Sequence, residues 1–347
     1  MTDLLSRFRA LQAETPHLRA RDAASRLGTT EAALLASGAL GPVTALRADW
    51  AALIGAMPAL GRIMALTRND MAVHERYGQF RDVSSGPGHI LVLGPEIDLR
   101  LFPGCWAHGF ALGGERPAIQ IFDDRGVAVH KIYATEGTDR AAWAALVERF
   151  ADPAAAAPPE QPAAAIAAKA EAAVDGESLR SDWLALRDTH DFFPLLRRHK
   201  ASRRRAFRLA GDDLARRVAP AVAAEALRLA SERAVPVMVF VGNRGAIQIH
   251  TGPVQRLLER GGWFNVLDAD FNLHLREDGI AEAWHVTKPT EDGAVTSIEL
   301  LDAAGEVIAM LFGARKPGQP ELPEWRALAA EAAARHPHAA PAAEAAA

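Results

Sequence analysis

The spacing of apolar positions changes along the chain, and the changes mark its elements. Over the first 60 residues apolar side chains recur at helical intervals, in Leu4, Leu5, Phe8 and Leu11, and again in a second unit from Thr15 to Ala36. Within that unit ARDAASRLGTTEAALLASG reads as a helix, a turn at Leu27-Gly28, a Thr30 cap and a second helix, which is the outline of a helix-turn-helix. From Ile63 the period falls to two, and HILVLG, IDLRLF, GFALGG and AIQIFDDRGVAVHKIYAT predict antiparallel strands. The turn Asp123-Asp124-Arg125-Gly126 predicts a tight hairpin. TDRAAWAALVERFAD predicts a helix that closes this half. Pro153, Pro158, Pro159 and Pro162 then punctuate an alanine-rich stretch, read as an exposed linker whose later part is helical.

Beyond the linker the pattern repeats. IQIFDDRG at Ile119–Gly126 matches IELLDAAG at Ile298–Gly305, an offset of 179 residues that also aligns AVHKIY with VIAMLF. IDLRLF pairs with FNLHLR at an offset of 174, and ALTRND with VFVGNR. A shared order of matches is stronger than any single match, because loops absorb small insertions. The expected fold class is α+β: a tandem duplication of an antiparallel-sheet module with flanking helices, and a central helical segment between the sheets. The expected domains are an N-terminal repeat with a helical start over residues 1–150, the linker over 151–176, a C-terminal repeat over 177–335 and a tail over 336–347.

The stretch that stands out is Asp188–Gly211, DTHDFFPLLRRHKASRRRAFRLAG. A helix ending near His190 and another starting near Pro194 place the imidazole at a corner, and proline is tolerated in a first turn, where no internal partner awaits the N–H. Arg197, Arg198, Lys200, Arg203, Arg204, Arg205 and Arg208 read as a solvated cationic helix face. Aromatic walls are available from Phe102, Phe192, Phe193 and Phe240, and cations from Arg100, Arg197, Lys200, Lys288 and Arg315. In IDLRLF the alternation sets Leu99 and Leu101 on one face and Asp98, Arg100 and Phe102 on the other.

Composition narrows the function classes. With 347 residues, 49% hydrophobic and 24% charged, the chain has the make-up of a globular protein of two domains. No apolar run approaches about 18 residues and the start lacks a secretion signal, so a cytoplasmic location without membrane insertion is expected. A single cysteine, Cys105, excludes an internal disulfide, and a formal charge of −4 gives no global drive toward nucleic acid. His74, Glu75, His108, His130, His250 and His285 do not fall at zinc-protease spacing, and neither a phosphate loop nor a nucleophile elbow is present.

Taken in order, RNDMAVHERYGQF, IDLRLFPGCW, DTHDFFPLLRRHKASRRRAFRLAG, GNRGAIQIHTGPV, WHVTKPTEDGAVTSIELLD and LFGARKPGQPELPEWR resemble the bacterial hemin-degrading factor family, the HemS-type haem-binding and haem-trafficking proteins. The resemblance spans nearly the whole chain. It implies haem b as ligand or substrate, with His190 as the axial iron ligand and Arg100 as the distal residue that any catalysis would use. It further implies Phe102 and Phe240 as walls and Lys288 and Arg315 as cations for the propionates. The match weakens at Ala309 and Met310, where relatives can have polar residues, so one propionate contact is expected to be missing or replaced. Asp188 or Asp191 would fix the second imidazole nitrogen, and His199 is the alternative ligand. The resemblance leaves a haem chaperone and a ring-opening enzyme equally open, and implies a haem oxygenase or a haem importer ATPase as partner. The other function class is a haem-responsive DNA-binding regulator using the N-terminal helical hairpin. Thr29, Thr30, Glu31, Ala32 and Ala33 give it no base-reading side chain, so DNA is not an expected partner.

Overall fold

The computed structural model describes residues 2–163, 173–316 and 318–338. Two compact units are interleaved in sequence: Met1–Arg68, His74–Ile166 and Gly242–Gln248 form the first, and Asn69–Val73, Ala167–Val241 and Ile249–Ala347 the second. The later part of the alanine-rich stretch, where a helix is expected, lies outside the described residues, as does most of the C-terminal tail.

In the first unit α1 (Thr2–Glu14), α2 (Ala20–Leu27), α3 (Glu31–Ala36), β1 (Val43–Leu46) and α4 (Trp50–Ala56) precede a run of strands. These are β2 (Gly61–Arg68), β3 (Ala72–Gly78), β4 (Val83–Gly86), β5 (His89–Leu93), β6 (Asp98–Leu101), β7 (Trp106–Leu112), β8 (Ala118–Asp123) and β9 (Ala128–Thr138), and α5 (Arg140–Phe150) follows them. The sheet order is β1-β7-β8-β9-β2-β3, with β4-β5-β6 as a second group. Asp123 closes the predicted β8–β9 hairpin by accepting from the N–H groups of Arg125 and Val127 at 3.0 and 2.9 Å, and Gly126 supplies the positive φ of 72° that the turn demands.

The second unit repeats this plan element for element. It begins with α6 (Gly176–Leu184), α7 (Phe192–Arg198), α8 (Arg203–Ala210), β10 (Ala215–Val218) and α9 (Val222–Glu232). The strands are β11 (Val237–Gly242), β12 (Ala246–Gly252), β13 (Leu257–Arg260), β14 (Trp263–Leu267), β15 (Phe271–Arg276), β16 (Glu282–Lys288), β17 (Val295–Leu301) and β18 (Val307–Gly313), and α10 (Pro323–Arg335) ends the unit. Its order is β10-β16-β17-β18-β11-β12, with β13-β14-β15 as the second group, which is the first order advanced by nine strands. The fold is therefore the tandem α+β duplication that the sequence offsets predict. Even the hairpin tips match: Asn69 Oδ1 accepts from the N–H groups of Met71 and Ala72, and Asn243 Oδ1 from those of Gly245 and Ala246. The Asn69 amide also donates to the Ile308 carbonyl and the Asn243 amide to the Val129 carbonyl, so residues 69–73 group with the second unit and 242–248 with the first.

Each unit buries one sheet face under its long helices. In the first, Leu53 and Ile54 of α4 and Leu146 and Phe150 of α5 pack on Ile63, Ile119, Ile121 and Ile132. In the second, Leu227 of α9 and Trp325, Leu328 and Ala332 of α10 pack on Val237, Val239, Ile298 and Leu311. The other face of the second sheet carries α6, α7 and α8 through Trp183, Phe192 and Phe207.

One expectation, the exposed linker, is corrected here. The helix-turn-helix outline is real as a backbone shape, but Glu31, Ala32, Ala33, Leu34 and Leu35 of its second helix are all buried, so no face remains to enter a groove. The stretch read as an exposed linker is partly docked: the Thr30 hydroxyl donates to the Pro159 carbonyl at 2.6 Å, and the Thr29 hydroxyl to that of Glu160 at 2.9 Å.

Candidate functional site

His190 sits in a 3-10 turn, Thr189–Asp191, that runs directly into α7. Helix α7 starts at Phe192, earlier than the expected start at Pro194, and Pro194 occupies its third position, still within the turn that needs no N–H partner. Asp188 caps the turn. Its Oδ1 accepts from the His190 backbone N–H at 2.9 Å and lies 2.7 Å from His190 Nδ1. The His190 amide, then its imidazole, then Arg315 hold the Asp188 carboxyl below the usual range, against the opposing effect of burial. An ionised Asp188 fixes Nδ1 as the protonated nitrogen and leaves Nε2 as a lone-pair donor. The imidazole is 84% exposed, and among the described residues Nε2 has no partner.

His190 opens on a cleft of about 400 Å³ whose walls include Arg187, Asp188, Glu291, Asp292 and Arg315. The β16–β17 loop supplies Glu291 and Asp292, and the Glu291 N–H donates to the Arg187 carbonyl at 2.9 Å. The loop is thereby tied to the segment that carries His190. Arg315 follows β18 and lies with Nη2 3.5 Å from the Thr189 hydroxyl, at the His190 turn.

Strand alternation builds an apolar strip on the same sheet. Met238 and Phe240 of β11 and Met310 and Phe312 of β18 are half-buried, while Val237, Val239 and Leu311 between them are buried against α9 and α10. Phe240 pairs with Met310 and Met238 with Phe312 in the ladder, and the Phe240 and Phe312 rings meet edge to face at 5.1 Å. Met310, where the sequence resemblance weakens, adds apolar surface to this strip. Met238 and Phe312 escaped the sequence reading, although the period of two in VMVFVG and IAMLFG marks them as neighbours of Phe240.

The remaining predicted residues differ in availability. Lys288, expected to face a propionate, is 3% exposed. Its ammonium is bound by Glu299 and lies 4.7 Å from the Phe192 ring centre and 5.9 Å from that of Phe312. Phe192, one of the aromatic walls considered, is core, packed on Trp183 at 4.5 Å. Arg100 and Phe102 belong to the first unit. Arg100 is half-buried and bound to Asp98, and Phe102 is 36% exposed with its N–H on the Gly245 carbonyl at 2.9 Å. Leu99 and Leu101 are buried on the opposite face, as the alternation requires.

The basic run divides: Arg197, Arg198, Lys200 and Arg208 are exposed, as its composition suggests, while Arg203, Arg204 and Arg205 are half-buried. Arg203 binds Glu299, Arg208 binds Glu282, and Arg204 donates to the carbonyls of Asp302 and Ala303. Arg198 and His199 share Asp182 at 2.7 and 2.8 Å, and the His199 side chain is only 10% exposed. These cations clamp α8 and the end of α7 to the sheet and to α6. Their acidic partners are distant in sequence, so the run taken alone could not reveal them.

Known proteins share this fold over 95% of the chain. The sequence profile described as the haemin-degrading HemS.ChuX domain matches residues 28–150 and 200–332, once in each half of the chain. The hemin transport protein HmuS of Yersinia pestis is 40% identical over 329 residues, spanning 93% of this chain and 95% of the relative. The crystal structure of apo-PhuS, a heme-binding protein from Pseudomonas aeruginosa, superposes with a TM-score of 0.90 at 49% identity, covering 95% of this chain and 98% of that one. ChuS of Escherichia coli, described as a heme degrading enzyme, does so with a TM-score of 0.87 at 38% identity over 95% and 98%. By sequence and by fold, the chain belongs to the haemin-degrading HemS.ChuX family.

Proposed function

We propose that this protein binds one haem in haem uptake and utilisation, with His190 Nε2 as the axial ligand. The observation that carries this reading is an exposed imidazole whose Nδ1 is fixed by Asp188 at 2.7 Å, at a cleft that also holds Arg315. A nitrogen donor of fixed tautomer suits iron, a guanidinium suits a propionate, and the strip of Met238, Phe240, Met310 and Phe312 suits a porphyrin edge. Titrating ferric haem into the protein tests it: a saturable Soret complex at one equivalent is expected, and none would dismiss the reading. Among the described residues no helix is long and apolar enough to cross a membrane.

Asp188 does not touch the porphyrin in this reading and acts through His190. Asp188→Ala is expected to weaken haem binding by about 10–100-fold, the usual cost of losing the group that orients a metal-ligating histidine. An unaltered affinity would assign the tautomer to another group.

A second use of the bound haem, ring opening, is favoured by the likeness to ChuS, described as a heme degrading enzyme. Arg100 is its candidate distal donor. In the presence of a reductant and catalase the Soret band of a carrier persists, whereas that of a degrading enzyme decays with release of iron. Arg100→Ala is expected to keep haem bound while changing its spectrum and slowing any decay. Loss of binding in that variant would instead make Arg100 a holding residue.

A further inference from the structure

Around the buried Glu299 the charges do not balance. Lys288 and Arg203 both converge on Glu299, two cations on one carboxylate, and Glu299 is fully buried. Burial alone would raise the Glu299 carboxyl, but Lys288 and Arg203 outweigh it and lower it to about 2, so the group is an anion; burial and the nearby Arg203 in turn pull the Lys288 ammonium down while Glu299 holds it up, and with both cations protonated the cluster carries one surplus positive charge. A buried uncompensated charge is costly. Such a cluster favours an incoming anion.

The two carboxylate oxygens are occupied in a way that makes one cation dispensable. Arg203 binds Oε2, while Lys288 and the Ser297 hydroxyl both donate to Oε1, the latter at 3.0 Å. If Lys288 leaves, Oε1 keeps Ser297 and Oε2 keeps Arg203, so no buried oxygen is orphaned. Ring contacts do not separate the two cations, since Arg203 lies over Phe192 and Phe207 at 5.1 and 5.9 Å and Lys288 over Phe192 and Phe312 at 4.7 and 5.9 Å; the chain does, because the planar Arg203 fork is held between two rings of the helical layer. Lys288 ends a flexible four-carbon stem, and its ammonium already lies over Phe312, a member of the half-buried strip.

We infer that Glu299 is an internal stand-in for a ligand carboxylate: it holds Lys288 until a propionate takes that ammonium over, and then remains neutralised by Arg203 and Ser297. The inference rests on the haem-binding reading and adds a residue that weakens binding in the unloaded protein. The exchange converts a cluster of charge +1 into two neutral pairs. It also makes ligand affinity depend on a carboxylate on the macrocycle and not on iron alone.

The test compares haem with its dimethyl ester, which keeps ring and iron but has no free carboxylate. Glu299→Gln is expected to lower the melting temperature of the unloaded protein, because Lys288 loses its counter-charge, and to tighten haem binding by about tenfold. Affinity for the diester should stay as in the wild type. A purely structural Glu299 gives the opposite: both ligands bound more weakly, and to the same extent. That result, or an unchanged haem affinity, overturns the exchange. A structure of the haem-loaded wild type decides it independently of the variant's folding, since Lys288 still bound to Glu299 would equally end it. Failure of the wild type to form any Soret complex removes the haem reading itself, whereas a normal complex indifferent to Glu299→Gln removes only the exchange.

Discussion

Replacing His190 with alanine is expected to abolish the spectrum of imidazole-ligated haem and to weaken binding by more than about 100-fold, the upper end of what loss of an outer partner alone costs. The protein itself should be indifferent. The side chain is 84% exposed and, among the described residues, bonded only to Asp188, and exposed substitutions of this kind stay within about 0.5 kcal/mol. An unchanged melting curve with a changed Soret band is therefore the signature of a ligand, separate from that of a folding defect. His199 is the obvious substitute, but it offers little. Its Nε2 is bonded to Asp182 at 2.8 Å and its side chain is 10% exposed, so recruiting it means dismantling the contact between α6 and the end of α7. Absorbance titrations of H190A and of the H190A/H199A pair, with free imidazole added back to the first, separate these cases. A wild-type spectrum in H190A would move the iron ligand elsewhere.

How much of this was legible in the sequence depends on the range over which each feature is encoded. Strand alternation is local, so IDLRLF announced its buried and half-buried faces and the offsets of 179 and 174 residues announced the duplication. The helical corner was legible in shape but not in meaning. In the first unit Gly28 takes a φ of 66°, Thr29 N–H bonds the Ala24 carbonyl, and Thr30 caps α3 by accepting from Ala33. In the second unit Lys200 takes a φ of 51°, Ala201 N–H bonds the Leu196 carbonyl, and Ser202 caps α8 by accepting from Arg205. The apparent helix-turn-helix is thus the first repeat's version of the α7–α8 hairpin, whose first helix follows directly on His190. The side chains were too far diverged for this match to emerge from identity, because a left-handed residue and a hydroxyl cap specify a turn without specifying its neighbours.

Charge pairing was the least legible feature. Glu31 opens α3 and is bound by Lys131 of β9, while Arg203 opens α8 and is bound by Glu299 of β17. The same structural place carries opposite charge in the two repeats, and each partner lies about a hundred residues away. A run such as RRHKASRRR reads as surface because long-range acids cannot be assigned to it from spacing. Lys288 is the informative case. Resemblance marks it as a ligand cation, whereas its burial shows that it is held by a carboxylate of its own chain.

The second large effect concerns Trp183, which holds the His190 layer on the sheet. It is fully buried, its ring meets Phe192 at 4.5 Å and Phe207 at 6.0 Å, and its Nε1 donates to the Thr287 carbonyl at 3.0 Å. Trp183→Ala should cost about 3–5 kcal/mol, the range for emptying an aromatic core site, against a total of about 5–15 kcal/mol for a native domain. Trp183→Phe keeps much of the ring but strands the Thr287 carbonyl, and should cost about 1–3 kcal/mol. The functional consequence follows from position. Phe192 is two residues beyond His190, so a layer that loses Trp183 loses the anchor that aims the imidazole, while the α9 and α10 core, built from other residues, stays packed. Denaturant unfolding and haem titration should therefore fail together in Trp183→Ala and partially in Trp183→Phe. A Trp183→Ala protein that unfolds within about 1 kcal/mol of the wild type and binds haem normally would show that α7 is held by its ion pairs and not by the aromatic cluster.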